Sequence, residues 1–254
     1  MKLIVLISSA ALLAPIMAMA DDPPPPPQQV WTGKGQAGYV ATQGNSDSKS
    51  ANAAIDAAYL DGQWKHAFHL GGLYGESAGI TAAEKWDAQW QTNYDITPDF
   101  YTFGALHYMH DDFSGFQYQE SISVGLGYKF INTATTKLDA QVGVGFRQLR
   151  PENILKNASG AVTERDLLPS QSGAVVTAAV NYSQALTATT TLSNKLSIES
   201  GAADTLIADA LALTVKVSTK LALSLGYNWQ DNTKPPGTLK KTDTQETVSL
   251  VYSF

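Results

Sequence analysis

The feature that most constrains this chain is an alternation of apolar and polar residues that recurs along most of its length. In "LALSLGYNWQ", which starts at Leu221, every second residue is a large apolar or aromatic one. "SISVGLGYKF" from Ser121 and "LDAQVGVGF" from Leu138 repeat the pattern. Because alternate side chains of a β-strand point to opposite faces, each such segment predicts a strand with one apolar face.

Twelve strands of this kind are predicted, near residues 33–42, 49–60, 63–75, 84–95, 99–110, 117–130, 136–149, 173–183, 189–200, 205–217, 219–230 and 242–254. Except for the four-residue "GAAD" after Ser200, every second connection is longer and more polar, including "ESAGITAA" and the stretch from Arg150 to Gln171. Short periplasmic turns and longer external loops are typical of outer-membrane barrels. We therefore predict an all-β fold, a closed antiparallel transmembrane β-barrel of twelve strands, with the Arg150–Gln171 loop outside the cell.

Aromatic residues near the strand ends support this prediction. One set falls at the ends assigned to the periplasm: Tyr59, Trp64, Tyr94, Tyr101, Phe130, Tyr182, Tyr252 and Phe254. A second set falls at the opposite ends: Tyr39, Tyr74, Trp86, Tyr118, Phe146, Tyr227 and Trp229. Two aromatic belts are expected where strands cross the two interfaces of a bilayer.

The N-terminal segment indicates export. Residues 1–20 combine an early charge, Lys2, with an apolar run and small residues before position 21, which predicts a cleaved signal peptide. A membrane anchor is the alternative, although the apolar run is short and interrupted by Pro15. Residues 21–30, "DDPPPPPQQV", predict an extended periplasmic tether, or less favourably a docking site for a proline-binding partner. The barrel is expected over residues 31–254.

Composition narrows the partners and cofactors. Beyond Ala20 the chain has no apolar run of about 18 residues, so the exported protein is either soluble or a barrel. Removal of Lys2 from 17 basic residues leaves 16 against 23 acidic ones, and this net charge of −7 argues against nucleic acid. Cysteine is absent, which excludes disulfides and thiolate metal sites. No cofactor is predicted.

Four segments in this order resemble a known family: "AGYVATQGNSDSKS", "DDFSGFQYQESISVGLGYKF", "VGVGFR" and "YNWQDNTKPPG". The chain is similar to the salt-induced outer-membrane proteins of the YdiY type over essentially its whole mature length. The resemblance implies an outer-membrane barrel connected with salt or osmotic stress. It implies no established activity.

The polar strand faces supply the residues expected to line the lumen. They are Asp56, Lys65, His69, Asp87, Gln89, Gln91, Asn93, Lys129, Asp139, Gln141, Arg147, Asn181, Lys195, Glu199, Lys216, Asn228 and Gln230. Eight strands enclose a filled interior and sixteen an open channel, so twelve predict a narrow lumen. Either these groups pair and fill it, or they line a weakly selective pore.

The histidines raise the question of a metal site. His66 and His69 come early in the third predicted strand, whereas His107 and His110 come late in the fifth. At about 3.3 Å per residue the two pairs would lie on the order of 10 Å apart in height, too far for one ion. No metal site is predicted.

"HDDFSG" is the remaining candidate for chemistry. His110, Asp111 and Asp112 precede Ser114 at the predicted external rim, and a carboxylate beside a histidine can prepare a general base for water or serine. Acidic loop tips are common, however, and no second catalytic cluster is evident. We therefore predict no catalytic residue and no enzyme activity, with a rim hydrolase as the alternative from the enzyme class.

One residue conflicts with the strand pattern. Asp209 shares the parity of Leu211, Leu213 and Val215, so regular pairing would direct its carboxylate towards lipid. We expect a β-bulge near residues 208–210, or a strand that enters the bilayer only after Asp209.

The function expected from the sequence is that of an outer-membrane barrel with a narrow or blocked lumen, and a small-solute channel of the same fold is the alternative. The expected partners are the outer-membrane bilayer and the outer-membrane assembly machinery. Tyr252 and Phe254, aromatic residues on the final alternating strand, are expected to form the signal for that machinery.

Deletion of Phe254 tests the assembly signal. If this residue is both part of an aromatic belt and a recognition signal, its deletion should lower the amount of folded barrel in cells far more than it lowers the stability of refolded protein. The loss of one interfacial aromatic contact is limited to about 3 kcal/mol at most, whereas recognition acts on yield. Heat-modifiable gel mobility measures the first quantity and refolding into detergent the second. Normal amounts of inserted barrel in cells would show that Phe254 is only a packing residue.

Overall fold

The computed structural model describes residues 29–42, 47–237 and 239–254. It contains thirteen strands within these ranges: β1 Val30–Thr42, β2 Ser48–Asp61, β3 Trp64–Ser77, β4 Ile80–Asp95, β5 Phe100–Asp111, β6 Phe116–Asn132, β7 Thr136–Lys156, β8 Val162–Leu167, β9 Gln171–Ala185, β10 Thr190–Gly201, β11 Thr205–Lys216, β12 Leu221–Asn232 and β13 Thr242–Ser253. The predicted signal peptide and most of the predicted tether lie outside the described residues. β1 begins at Val30, one residue before the predicted barrel.

Twelve of the strands form one closed antiparallel sheet. Neighbours in sequence pair from β1 to β7, then β7 pairs with β9, and β9 to β13 continue in order. Pairing of β1 with β13 closes the ring. The predicted all-β, twelve-stranded closed barrel is confirmed, and β8 is an additional strand outside the ring. No α-helix within the described residues is long and apolar enough to cross a membrane.

The outer face of the barrel is apolar and uncovered. Ile55, Leu70, Val142 and Leu250 keep 54%, 52%, 63% and 54% of their surface exposed. Rings on neighbouring strands contact each other at both ends of this face, for example Trp64 with Tyr94 at 4.8 Å and Trp86 with Tyr108 at 4.9 Å. So much exposed apolar surface would be unfavourable in water, and an apolar band between two aromatic belts fits a bilayer.

Tyr101 does not belong to the periplasmic belt, contrary to the sequence-based expectation. It faces the lumen with Phe103, and the two side chains are only 2% and 3% exposed. Both rings lie over glycines of the neighbouring strands. A β-carbon on Gly127 would overlap the Tyr101 ring, and one on Gly125 would lie 2.6 Å from the Phe103 ring. The absent side chains therefore make room for two inward rings.

Further apolar side chains extend this packing. Met109, Phe116 and Leu149 are 4%, 3% and 2% exposed and follow Phe103 towards the external end of β5, β6 and β7. One side of the lumen is consequently a packed apolar core. The sequence reasoning missed it because both faces of β5 are apolar.

Two loop predictions are wrong. The expected long loop "ESAGITAA" is a two-residue turn, because Ser77 pairs with Ile80 around Ala78 and Gly79, whose φ values are 51° and 78°. The expected loop from Arg150 to Gln171 is largely a β-hairpin, since β7 continues to Lys156 and pairs with β8. In both places, hydrogen bonding between neighbouring strands (β3 with β4, β7 with β8) continues into the predicted loop.

Asp209 lies in regular pairing, so the predicted bulge is wrong. It is opposite Leu196 on one side and Trp229 on the other without a register shift. Its carboxylate accepts a hydrogen bond of 2.6 Å from the Asn194 amide, which shares the outward face. This partner, together with a position beside Trp229 of the external belt, reduces the cost of an outward carboxylate.

The β7–β8 hairpin allows a direct test of topology. Its tip, residues 157–160, is exposed and is held by Asn157, whose side chain accepts hydrogen bonds from Ser159 and Ala161. An epitope inserted after Ser159 should be stained by antibody on intact cells. Staining only after permeabilisation would show that this end of the barrel faces the periplasm.

Candidate functional site

A row of ionisable side chains crosses the inner face of the first four strands. The Lys34 ammonium lies 3.5 Å from the Asp56 carboxylate, and the other Asp56 oxygen lies 2.7 Å from Nδ1 of His69. Nε2 of His69 lies 3.4 Å from Asp87. Each inward group of this row therefore has an oppositely charged or hydrogen-bonding neighbour, as charges within a protein require.

A second network lies between this row and the periplasmic end. The Tyr101 hydroxyl donates to Asp139 at 3.1 Å, and the Asn181 amide donates to the same carboxylate at 2.9 Å. Gln91 of β4 donates to Gln141 of β7 at 3.0 Å. Because β5 and β6 separate those two strands in the ring, this bond crosses the interior.

The remaining predicted lumen lysines differ in their surroundings. Lys129, at the periplasmic end, donates to Asp95 at 2.6 Å and lies over the Tyr101 ring. Lys65 and Lys216 lie on the inward parity of β3 and β11, near the same end. Neither makes an ion pair with another described residue.

The side chain of Lys195 extends across the lumen to a strand on the other side. Its ammonium donates to Gln89 at 3.1 Å, although β10 and β4 are five strands apart in a ring of twelve. The surrounding groups are not tightly packed, since the side chains of Asp56, His69 and Asp87 remain 34%, 32% and 25% exposed. This side of the lumen is thus a narrow space accessible to water and crossed by single side chains.

Arg147 forms a buried ion cluster at the external end of the lumen. Its guanidinium contacts the Asp204 carboxylate and lies 3.2 Å from Glu199. The side chains of Arg147 and Asp204 are 4% and 2% exposed. A bond of 3.2 Å from Arg147 to the Asp204 carbonyl adds a second contact to the same loop. Arg147 therefore fixes the β10–β11 loop over the lumen.

Four external loops pack together above the Arg147 ion cluster. We call these loops the mouth cluster: residues 112–115, 152–168, 202–204, and 233–241 as far as described. Arg165 donates to the Asp112 carbonyl at 2.7 Å and to the buried Glu152 carboxylate at 2.6 Å. Lys234 donates to the Ala202 carbonyl at 3.2 Å. A cavity of about 140 Å³ between the loops is lined by residues from three of these segments, all except residues 112–115, and from the adjoining strand ends.

The mouth cluster spans the opening of the barrel. Gly115, between β5 and β6, packs against Pro236 and Leu239, between β12 and β13. These two loops lie half a circumference apart in the ring of twelve strands. A β-carbon on Gly115, whose φ is 79°, would overlap Leu239 and crowd Pro236 at 3.1 Å. Contact between loops on opposite sides is possible only if they extend over the lumen.

The histidines occupy separate places. His66 lies on the outer face 6.0 Å from the Trp64 ring. The expected offset between His69 and His107 along the strands is wrong, because both pair with Gln89 in one row. Two strand spacings of about 4.8 Å nevertheless separate their backbones. The described residues contain no group of three or more His, Asp or Glu side chains arranged to hold a metal ion.

The rim segment does not bring His110 and Ser114 into contact. Nδ1 of His110 bonds to the Gln117 carbonyl, and Nε2 lies 3.1 Å from Asp112. The Ser114 hydroxyl donates instead to the Asp111 carbonyl at 3.1 Å. His110 thus has both ring nitrogens engaged and is not bonded to Ser114. The arrangement closes a turn and positions the loop.

These features define an outer-membrane β-barrel protein: a closed antiparallel ring, an apolar band between aromatic belts, a polar interior and larger loops at one end. The chain belongs to the family described as "Protein of unknown function, DUF481", whose model matches residues 35–254. It is 27% identical over 224 residues to the "Uncharacterized protein YdiY" of Escherichia coli strain K12. The aligned region covers 86% of this chain and 81% of the relative.

Solved structures show similarity at the level of the barrel. An outer-membrane channel from Pseudomonas putida F1 is 11% identical, covers 92% of this chain and 99% of its own, and superposes with a TM-score of 0.48. The translocator domain of the autotransporter NalP from Neisseria meningitidis is 17% identical, covers 89% and 88%, and has a TM-score of 0.45.

Substitution of Arg147 tests the buried ion cluster. Arg147→Met should destabilise the barrel by about 3 kcal/mol or more, because it leaves the Asp204 and Glu199 carboxylates without their cation. Lys49→Met is the control, since Lys49 and its partner Glu76 on the neighbouring strand are 50% and 25% exposed and the loss of this pair should have a smaller effect. Guanidinium titration of the folded barrel in detergent measures both. Equal midpoints for the two variants would contradict a special role for Arg147.

Proposed function

We propose that this protein is an outer-membrane barrel whose axial passage is closed in the conformation described, and that it acts in the cell's response to salt or osmotic stress. The carrying observation is the contact of Gly115 with Pro236 and Leu239 across the mouth. The packing of Tyr101 and Phe103 on one side of the lumen and the Lys195–Gln89 bond on the other narrow the passage further.

The proposal includes no catalytic activity. This part of the proposal is supported by the rim segment, where His110 and Ser114 bond to different partners and not to each other. The proposed partners are the outer-membrane lipids and the assembly machinery that inserts barrels. The stress role rests on the family resemblance alone.

A gated small-solute channel is the second candidate. It is favoured by the water-accessible space around Asp56, His69 and Asp87, which a barrel with a purely structural role would not need. In this case the mouth cluster is the gate, and the lumen below it conducts when the loops separate.

Conductance measurements distinguish the two candidates. Purified wild-type barrel in a planar bilayer should give no stable unitary steps, at low and at high salt. A variant in which residues 233–241 are replaced by a short Gly-Ser turn loses the contacts of Pro236 and Leu239 with Gly115. Steps in this variant alone would support a gated channel, and silence of both proteins would support a barrel closed along its length.

The control keeps the loop length and removes only one side chain. Leu239→Ser retains the loop but loses apolar contact with Gly115, so it should lie between the two proteins in open probability. Heat-modifiable gel mobility must show that all three are folded. Stable, continuous steps from the wild-type protein would overturn the closed-barrel proposal.

A further inference from the structure

The seam between the first and last strands is paired over only part of its length. Lys34, Gly35, Gln36 and Ala37 are opposite residues 253–250, and Gly33 exchanges backbone hydrogen bonds of 2.9 Å with Phe254. Beyond Ala37 the structure shows no ladder between the described residues of β1 and β13. The other pairs in the ring continue for at least ten residues.

The unpaired stretch lies between two intact hairpins. β1 stays paired with β2 as far as Thr42, which is opposite Ser48. β13 stays paired with β12 as far as Thr242, which is opposite Asp231. We call the space between residues 39–42 of β1 and 242–248 of β13 the seam notch. Val40 lies on the lumen face of β1, yet it is 48% exposed, as expected for a strand without a neighbour.

A side-chain bond marks the inner end of the seam notch. The Asn52 amide of β2 donates to the Ser249 hydroxyl of β13 at 2.9 Å and so passes over Gly38 of β1. A β-carbon on Gly38 would overlap the Val248 carbonyl and would lie 2.5 Å from Asn52 Oδ1. The missing side chain lets the two hairpins meet at this level, above which no ladder pairs β1 with β13.

The seam notch lies at the outer interface of the bilayer. Leu250 and Val248 continue the apolar outward face of β13, whereas Glu246 and Thr244 are polar and lie beside Tyr227 and Trp229 of the external belt. Unpaired backbone groups are not tolerated in the hydrocarbon region. At the headgroup level they remain available to bind a polar group.

The surroundings of the seam notch define its ligand. Val248 and Leu250 offer apolar contact from the membrane side. On the lumen side the nearest side chains are uncharged and hydrogen-bonding: Ser50, Asn52, Thr247 and Ser249. Asp243 lies four residues further out than Thr247 on the same face of β13. The unpaired strand edges add backbone donors and acceptors.

We propose that the seam notch is a lateral port that binds an amphiphile from the outer leaflet, with its uncharged, hydrogen-bonding head between β1 and β13 and its alkyl chain in the membrane. The mouth cluster covers the axial opening, so the notch gives such a molecule access to the interior from the side. This inference does not depend on whether the axial lumen conducts.

Introduced thiols test the gap, because the chain has no cysteine of its own. Val40→Cys with Thr247→Cys places thiols across the notch, where the register would oppose them if pairing continued. Gln36→Cys with Val251→Cys is the matched control, since these residues are opposed in the paired seam. In membranes, mild oxidation should link the control pair and not the notch pair, because a disulfide needs Cα atoms within about 7 Å. A longer bis-maleimide should link both.

Binding is tested with a fluorescent label on Thr247→Cys in nanodiscs. An alkyl glucoside below its micellar concentration should give a saturable emission shift. Alkyl sulfate of the same chain length should bind about tenfold more weakly, because its anionic head would meet the carboxylates of Asp243 and Glu246. Alkyltrimethylammonium should also bind more weakly, because its head can neither donate hydrogen bonds to the uncharged groups nor accept hydrogen bonds from them. The matched label on Gln36→Cys, which is half-buried in the paired seam, should give no saturable shift.

Several results would overturn the proposal. Disulfide formation at the notch pair as fast as at the control pair would show that the seam is closed in membranes. Equal responses of both labels, or of all three head groups, would indicate simple partitioning into the nanodisc. Links between two chains through the notch thiols would assign the open edges to a second copy. None of these results depends on the conductance of the barrel.

Discussion

The structure depends on one requirement, that each backbone N–H and C=O group in a bilayer must find a partner within the protein. A ring of twelve strands meets this requirement because every strand has two neighbours. The seam is the place where the last strand, β13, pairs with the first strand, β1. Gly33 and Gly38 of β1 allow the close approach of Phe254 and Val248 there. Pairing along the seam stops after Ala37 and Leu250, one outward residue before Glu246, where polar side chains indicate that water and headgroups are present.

The interior combines two ways of filling a barrel. On the side of β5 to β7, rings from Tyr101 and Phe103 lie over glycines and pack as in a soluble core. On the side of β1 to β4, charged groups such as Asp56 and His69 pair with each other and keep contact with water. Arg147 connects the two regions to the loops above, because its carboxylate partner Asp204 belongs to a loop. The lumen and the mouth are therefore parts of one packed unit.

The sequence could predict the barrel because a period of two is a local property, clearest in β12, where every second residue from Leu221 to Trp229 is large and apolar or aromatic. It could not assign the faces of β5, where Tyr101 and Phe103 alternate with Thr102 and Gly104, because both faces are partly apolar. Loop length was misjudged at Ser77–Ile80, where polar residues still pair as strands. The candidate residues Asp56, His69 and Asp87 were named from parity, but the contact of Gly115 with Leu239 joins positions with no local relation.

The glycines beneath the inward rings of Tyr101 and Phe103 determine how the width of the lumen could change. A side chain at Gly125, Gly127 or Gly143 would point into the lumen towards Tyr101 or Phe103, so these positions do not contribute to the outer surface presented to lipid. A methyl group at Gly127 would meet the Tyr101 ring and displace it towards the opposite wall, whereas one at Gly125 or Gly143 would also meet a backbone carbonyl of the neighbouring strand. The calibre of this barrel can therefore be altered from behind the Tyr101 ring by a single carbon atom at Gly127, while strand number and membrane contact stay the same.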